Sequence, residues 1–263
     1  MTINSPSNFN SKTEKQRLFL ITQDDPFFLP DELRLLFENF NVVGCVILDQ
    51  KLHNDSFLKV FLRYKNVFGF FGFIKMGFLG AYNKLLLGRS VHRTLKQCKI
   101  PEFKTINVNS PEFIEQLRSL QLDILISVAS VQKISNDVLA LPKIISLNLH
   151  GGYLPDFPGV FTPFWNLLEG ASYAGATVHV INSKIDGGDI AGRVQFPIEK
   201  DDSIYSLYRK ISKNGIQLLI KVLNEYQNGK PNLIENKYDK ARYHSFPTAK
   251  HQKQFQLKKL RVF

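Results

Sequence analysis

The sequence predicts an α/β fold in which a mostly parallel sheet carries helices on both faces and ends in an antiparallel extension. Three observations predict it. Short apolar runs alternate with segments of helical spacing as far as His150, the runs are apolar throughout rather than at every second residue, and β-forming segments dominate from Gly175 onward. With 263 residues the chain is long enough for one such domain and a modest appendage.

The predicted elements follow the order that a parallel sheet requires. Apolar runs predict strands at 17–23, 42–48, 105–108, 123–128 and 143–150. Helical spacing between them, with proline or acidic residues in the first turn, predicts helices at 30–40 and 111–120.

An antiparallel pair and a closing helix complete the predicted domain. The β-rich segments 176–181 and 190–198 are joined through a glycine-bearing turn, and 201–227 has helical spacing. We therefore predict a disordered tail at 1–16, one domain at 17–227 and a basic extension at 228–263.

The net charge of +11 is concentrated at the carboxyl end, where residues 228–263 hold nine Lys or Arg and two Asp or Glu. Such segments are usually solvated, so binding of nucleic acid is not predicted. The two cysteines, Cys45 and Cys98, lack the spacing of a disulfide framework, and residues 1–17 lack the apolar run of a secretory signal. We expect a soluble cytoplasmic protein with reduced thiols.

Residues 60–87 are strongly apolar but do not predict a membrane span. Arg63, Lys65, Lys75 and Lys84 interrupt them, so the longest uncharged run has nine residues, whereas a span needs about 20. We predict one or two packed or amphipathic helices here, and contact with a membrane surface is the alternative.

Polar side chains stand where the strand at 143–150 ends. Asn148 and His150 are two residues apart, so both face the same side of a strand, and ligands of open α/β sheets bind beyond such strand ends. An amide and an imidazole can aim at one carbonyl oxygen there. A capping Asn beside a hydrogen-bonded structural His is the alternative.

Four short segments together resemble the folate-dependent formyltransferase family, which includes glycinamide ribonucleotide transformylase, methionyl-tRNA formyltransferase and the sugar N-formyltransferases. The segments are Asn148-Leu-His150, Leu154-Pro155 followed by Gly159, Gly175-Ala-Thr177-Val-His179, and Asp186-Gly-Gly188. The resemblance is specific over 139–195 and looser over 17–227. One departure is Gly151-Gly152, where many members of the family have Pro-Ser.

The resemblance implies a Rossmann-like fold and a formyl transfer from 10-formyltetrahydrofolate to an amine, without a metal. The catalytic residues would be Asn148, His150 and Asp186. The amide and the imidazole would donate to the oxyanion that forms on the formyl oxygen, and the carboxylate would tune the histidine and accept the amine proton. Thr177 and His179 would support them, the latter by orienting the turn that carries Asp186.

The resemblance also implies where the two substrates bind. The pterin ring would lie against the loop after the strand at 123–128, with Val131, Ile134 and Leu139 as its apolar contacts. Gly152 and Tyr153 would contact the amine acceptor. On residue type alone, Val131, Ile134 and Leu139 would be ordinary core positions.

Two readings from other classes compete with this one. His150, His179 and Asp186 form a two-histidine, one-carboxylate set that a metal-dependent hydrolase would use. The basic extension suggests a non-catalytic module that binds nucleotides or RNA. A metal-dependent hydrolase would leave Asn148 and the Leu-Pro loop unexplained.

The acceptor is expected to be an amino sugar, most simply one carried on a nucleotide. The stretch 22–32, where the transformylases cradle a phosphate, has no glycine and four acidic residues. Only 36 residues follow Gln227, too few for the C-terminal barrel of the methionyl-tRNA enzymes. Methionyl-tRNA formyltransferase-like activity and hydrolysis of formyl-folate remain alternatives, as does a small aliphatic amine, and the sequence leaves the oligomeric state open, a homodimer included.

Overall fold

The computed structural model describes residues 15–49, 56–130, 132–229, 231–239 and 242–263. Within these ranges the strands are β1 (Leu18–Gln23), β2 (Val42–Leu48), β3 (Glu102–Phe103), β4 (Ile124–Val128), β5 (Ile145–His150), β6 (Tyr173–Val180) and β7 (Ile190–Pro197). The helices are α1 (Leu29–Asn39), α2 (Phe57–Leu85), α3 (Val91–Cys98), α4 (Pro111–Ser119), α5 (Asn136–Leu139), α6 (Thr162–Glu169), α7 (Ile204–Gln227) and α8 (Ala249–Leu257).

The described strands form one sheet in the order β3-β2-β1-β4-β5-β6-β7. β1 to β5 run parallel to one another, whereas β6 lies antiparallel to both β5 and β7. The predicted mostly parallel sheet with an antiparallel extension is therefore confirmed.

Helices cover both faces of the sheet because its inner strands are apolar on both sides. On β1, Leu18 and Leu20 pack in one apolar cluster with α1, α3 and α7, and Phe19 and Ile21 pack in a second cluster with α4 and α5. All four side chains are fully buried. This two-sided burial explains why the runs lack the alternation of a half-exposed strand.

The predicted strand at 105–108 is wrong, since the third strand lies at Glu102–Phe103. The Thr105 hydroxyl accepts a hydrogen bond from Asn107 N and donates one to Asn107 O, which closes a local turn. A threonine hydroxyl that satisfies nearby backbone groups competes with strand pairing.

The helix predicted within 60–87 is present as α2, which bends at Gly69. This residue has φ +70° and ψ 174°, a conformation that glycine adopts without strain. Among the described residues, none of the helices has the length and apolarity needed to cross a membrane.

The carboxyl-terminal segment packs against the domain instead of forming a solvated tail. Its backbone bridges β7 through Ile234 and Ile190, and it bridges the loop after β5 through His244 and Gly159. In α8, the Phe255 ring is buried and stacks on Phe164 with 4.9 Å between centroids. At the other end, the tail predicted at 1–16 lies outside the described residues as far as residue 14.

Candidate active site

The register between β5 and β6 groups four polar side chains on one face of the sheet. Asn148 lies opposite His179, and His150 lies opposite Thr177. Residues directly opposite in an antiparallel pair share a face, and residues two apart on one strand do as well. The structure therefore brings the two predicted catalytic residues of β5 together with the two predicted supporting residues of β6.

His179 holds the side-chain amide of Asn148. Its Nδ1 lies 2.9 Å from Val180 O, which can only accept, so Nδ1 carries the proton. Nε2 is then an acceptor, and Asn148 Nδ2 donates to it over 3.1 Å. Burial, and next the nearby His150 ring, lower the pKa of His179, which keeps the ring neutral in this role.

Asp186 is placed by the turn between β6 and β7, where its backbone adopts φ +54°. One carboxylate oxygen, Oδ2, accepts from Gly159 N at 2.8 Å. The other, Oδ1, lies 3.5 Å from His150 Nδ1 and 3.8 Å from His179 Nε2. The carboxylate thus faces both rings, but the hydrogen bond of His179 Nε2 goes to Asn148 instead of Asp186.

The loop after β5 fixes the His150 ring. His150 Nε2 donates to Phe157 O at 2.7 Å, so Nδ1 is the nitrogen that faces Asp186. The loop bends tightly at Gly152, where a Cβ would collide with Phe157 O and with the His150 ring. The Thr177 hydroxyl donates to Gly152 O at 2.8 Å and accepts from Leu154 N at 3.0 Å.

Packing explains the glycine at position 152, because no other residue leaves room for both the loop carbonyl and the imidazole. Tyr153, the other predicted acceptor contact, is half-buried beside Tyr173, with 5.5 Å between ring centroids. The guanidinium of Arg193 lies 4.8 Å from the Tyr153 ring centroid, and Arg193 also donates to Leu154 O. Tyr153 and Arg193 therefore form the surface next to the loop after β5.

Two of the predicted pterin contacts, Ile134 and Leu139, lie on the face of the sheet that α4 and α5 cover. Ile134 is 6% exposed and belongs to that apolar cluster, against which Leu139 packs. Core packing accounts for both residues in this structure. Val131 lies outside the described residues.

Sequence reasoning missed residues that the carboxyl-terminal segment brings to the site. The buried Asn236 amide donates to Asp186 O at 2.7 Å and to Gly188 O at 3.1 Å, which ties the turn that carries Asp186 to this segment. Burial, and next the Asp186 carboxylate, raise the pKa of both Tyr238 and Tyr243. No local pattern marks these residues, because they lie some 50 positions from the turn that they contact.

The two-histidine, one-carboxylate set is not arranged as a metal site. Both ring nitrogens of His179 are used in hydrogen bonds, and His150 Nε2 is bound to a backbone carbonyl. Throughout the part of the chain that the structure describes, no three His, Cys, Asp or Glu side chains are grouped as metal ligands.

Known proteins match more than half of this chain in sequence. The chain is 34% identical over 163 residues to the bifunctional polymyxin resistance protein ArnA of Wigglesworthia glossinidia brevipalpis, covering 62% of this chain and 25% of that protein. It is 27% identical over 160 residues to the methionyl-tRNA formyltransferase of Listeria innocua, covering 61% of this chain and 51% of that protein. The alignments thus span about half of the latter relative and a quarter of the former.

Solved structures of low sequence identity share the fold. Glycinamide ribonucleotide transformylase 1 from Symbiobacterium toebii superposes with a TM-score of 0.61 at 14% identity, covering 88% of this chain and all of that one. The sugar 3N-formyl transferase WlaRD superposes with a TM-score of 0.58 at 17% identity, covering 88% of this chain and 70% of that one. The sequence profile described as formyl transferase matches residues 85–223, more than half of the chain. This chain therefore belongs to the formyl transferase family.

Proposed function

We propose that this protein transfers a formyl group from 10-formyltetrahydrofolate to an amine, with Asn148, His150 and Asp186 at the reacting atoms. One observation carries the proposal: an amide and an imidazole from one strand and a carboxylate from a turn meet at the carboxyl end of β5. Ligand sites of open α/β sheets lie beyond strand ends of this kind.

Asn148 supplies the main donor to the developing oxyanion. When an uncharged amine attacks the formyl carbon, negative charge moves onto the formyl oxygen. One N–H of the Asn148 amide is used by His179, which leaves the second N–H for that oxygen. A preoriented donor of this type contributes roughly 10²- to 10³-fold to the rate.

His150 and Asp186 handle the proton that the amine loses. The His150 ring stands between Phe157 O and the carboxylate, with Nδ1 3.5 Å from Asp186 Oδ1. The carboxylate accepts the amine proton, directly, through water or by way of His150 Nδ1, which faces it because Nε2 already donates to Phe157 O. Gly159 N and Asn236 hold the turn that presents this carboxylate.

The folate donor is supported by the family and by the position of the loop after β4. β4 pairs in parallel with β5, with Ser127 opposite Asn148, so the loop that follows Val128 begins one strand away from the catalytic amide. Val131, Ile134 and Leu139 in and after this loop would hold the pterin ring. The WlaRD structure contains 5-N-formyl-THF, and that of the Helicobacter canadensis N-formyltransferase contains folinic acid.

The acceptor that we propose is a nucleotide-linked amino sugar. In the loop after β1, Asp24 Oδ1 accepts from Val91 N at the start of α3, so a carboxylate of the protein occupies a backbone N–H that a phosphate would use. Asp25 beside it is buried and accepts from Tyr208. The Helicobacter canadensis enzyme was crystallised with dTDP-3-aminofucose. Tyr153 and Arg193 offer a ring and a cation to such a ligand.

An acceptor screen with 10-formyltetrahydrofolate tests the proposal. Nucleotide-linked amino sugars, glycinamide ribonucleotide, initiator methionyl-tRNA and a reaction without acceptor are compared by the mass gain of one formyl group. We expect formylation of an amino sugar, abolished in His150→Ala and retained in His92→Ala. His92, on α3, is the control histidine and pairs with Glu102 on β3. Faster formylation of glycinamide ribonucleotide, or turnover with water alone, would replace the proposed acceptor.

A further inference from the structure

The outer face of α2 carries a stripe of large apolar side chains that the described protein leaves uncovered. Beyond the bend at Gly69, the stripe consists of Phe71, Ile74, Phe78, Tyr82 and Leu85. Their spacing of three or four residues places them along one side of the helix. Phe71 is 84% exposed, Phe78 is 75% exposed and Leu85 is 80% exposed.

The opposite face of the same helix packs against the domain, so the apolar stripe points toward the solvent. Gly72 packs against Val262, and Gly80 packs against Phe27. Asn83 is buried, and its carbonyl accepts from Arg89 N. The stripe is thus a surface of the folded protein and not a consequence of a loose helix.

An uncovered stripe of this size marks an interaction surface. Aromatic side chains bury roughly 150–250 Å² each, and proteins that act as monomers in water rarely expose contiguous apolar patches above a few hundred Å². Leu86 and Leu87 extend the stripe past the end of the helix, and both are exposed.

The charge around the stripe identifies its partner as anionic. From Ser56 to Pro101 the chain holds nine Lys or Arg and no Asp or Glu. Lys84 pairs with Asp24 and Arg89 with Asp31 at the edge where the helix meets the domain. Lys75 stands beside the stripe, with its ammonium over the Phe263 ring.

We propose that α2 binds the surface of an anionic phospholipid membrane, with the stripe in the acyl boundary and the basic side chains at the headgroups. A helix with Phe and Leu on one side and Lys or Arg around them is suited to lie in the plane of such an interface. Free phosphate could pair with the basic side chains, but it would leave the apolar stripe exposed to water. A second copy of the chain would set two regions of net positive charge against each other.

Vesicle co-sedimentation of the full chain tests this surface. Vesicles of phosphatidylcholine alone are compared with vesicles that also contain phosphatidylglycerol, at low and high salt. We expect binding to the anionic vesicles, weakened by salt, and about tenfold or more weaker in a Phe71→Ser, Phe78→Ser, Leu85→Ser variant. Ile106→Ser, an equally exposed apolar residue outside α2, should bind like the wild type.

The three substitutions fall on exposed side chains, so the variant should keep the wild-type circular dichroism spectrum and melting temperature. Absence of wild-type binding to anionic vesicles overturns the proposal, as does equal binding by the triple variant. Light scattering measures the oligomeric state. If the wild type is a dimer that does not bind vesicles, and the triple variant is a monomer, the stripe binds a second copy of the chain and the proposal is wrong.

Discussion

Asn148 on β5 and His179 on β6 lie directly opposite each other, and the asparagine amide donates to His179 Nε2 over 3.1 Å. The ring is itself fixed by its bond from Nδ1 to Val180 O. A neutral, buried histidine therefore sets the direction of the amide. This relationship gives His179 a positioning role toward Asn148 in the proposed reaction.

His179→Ala should lower kcat by about tenfold and leave the KM for the folate almost unchanged, because only the orientation of the oxyanion donor is lost. His179→Gln, whose side-chain oxygen can accept the same hydrogen bond, should recover part of the loss. Steady-state kinetics of both variants separate kcat from KM. Equal kcat in wild type and His179→Ala would remove the positioning role.

The same residue should make the protein sensitive to acid. The pKa of His179 is lowered in the folded state, so below about pH 6.5 the unfolded chain takes up a proton that the folded protein resists. As the pH is lowered through this window, the free energy of unfolding should therefore decrease, by at most about 1.4 kcal/mol per pH unit from His179. Above the window, His179 should make no change to it. Urea unfolding at several pH values should show a smaller acid loss in His179→Gln. An unchanged pH dependence in that variant would assign the acid loss to other groups.

Asn148→Ala, His150→Ala and Asp186→Asn should each lower turnover by roughly 10²-fold or more, because all three act mainly on the transition state. Folate affinity, measured by calorimetry, should change little. Asp123→Asn serves as a matched carboxylate control, since Asp123 accepts from Arg17 N at the far end of the sheet. Near-normal turnover in any of the three would exclude that side chain from the chemistry.

Gly152→Ala should lower activity by more than its small change in size suggests. The added methyl group has no room beside Phe157 O and the His150 ring, so the loop must move and the imidazole loses its fixed position. Gly77→Ala is the control, because a Cβ there meets no atom within 4 Å. We expect a kcat loss of about tenfold or more for the first variant and none for the second. Similar kinetics of the two variants would contradict the packing argument.

Metal chelators should leave turnover unchanged, because the proposed donors and the proton acceptor are all side chains of the protein. The measurement is initial rate after treatment with EDTA and gel filtration, followed by addition of zinc. Activity that disappears with the chelator and returns with zinc would favour the two-histidine, one-carboxylate hydrolase.

Ile134→Asp would be a poor test of the proposed pterin site. Ile134 is buried in the cluster with α4 and α5, so a carboxylate there would destabilise the fold whether or not a folate binds nearby. Leu139→Ala is the better test of the proposed pterin site, because Leu139 is only partly buried. The measurement is the folate dissociation constant of a variant that circular dichroism shows to be folded.

Local periodicity determined much of what the sequence predicted correctly. Continuous apolar runs and helical spacing depend on neighbouring residues, so they predicted the parallel sheet, its antiparallel extension and four of the eight described helices, α1, α2, α4 and α7. The spacing of Asn148 and His150 placed them on one face for the same reason. The strand at 105–108 failed because a Thr105 side chain satisfies the backbone locally, which apolar content does not reveal.

Only the tertiary structure decided which groups meet. The contact of Asn148 with His179 joins residues 31 positions apart and depends on the β5–β6 register. The support of the Asp186 turn by Asn236 depends on a carboxyl-terminal segment that composition alone marked as a basic extension. The orientation of His150 depends on a loop carbonyl at Phe157. Sequence periodicity fixes the face on which a side chain lies, but its partners are set by strand register and by the packing of distant segments, and these arise only when the whole chain has folded.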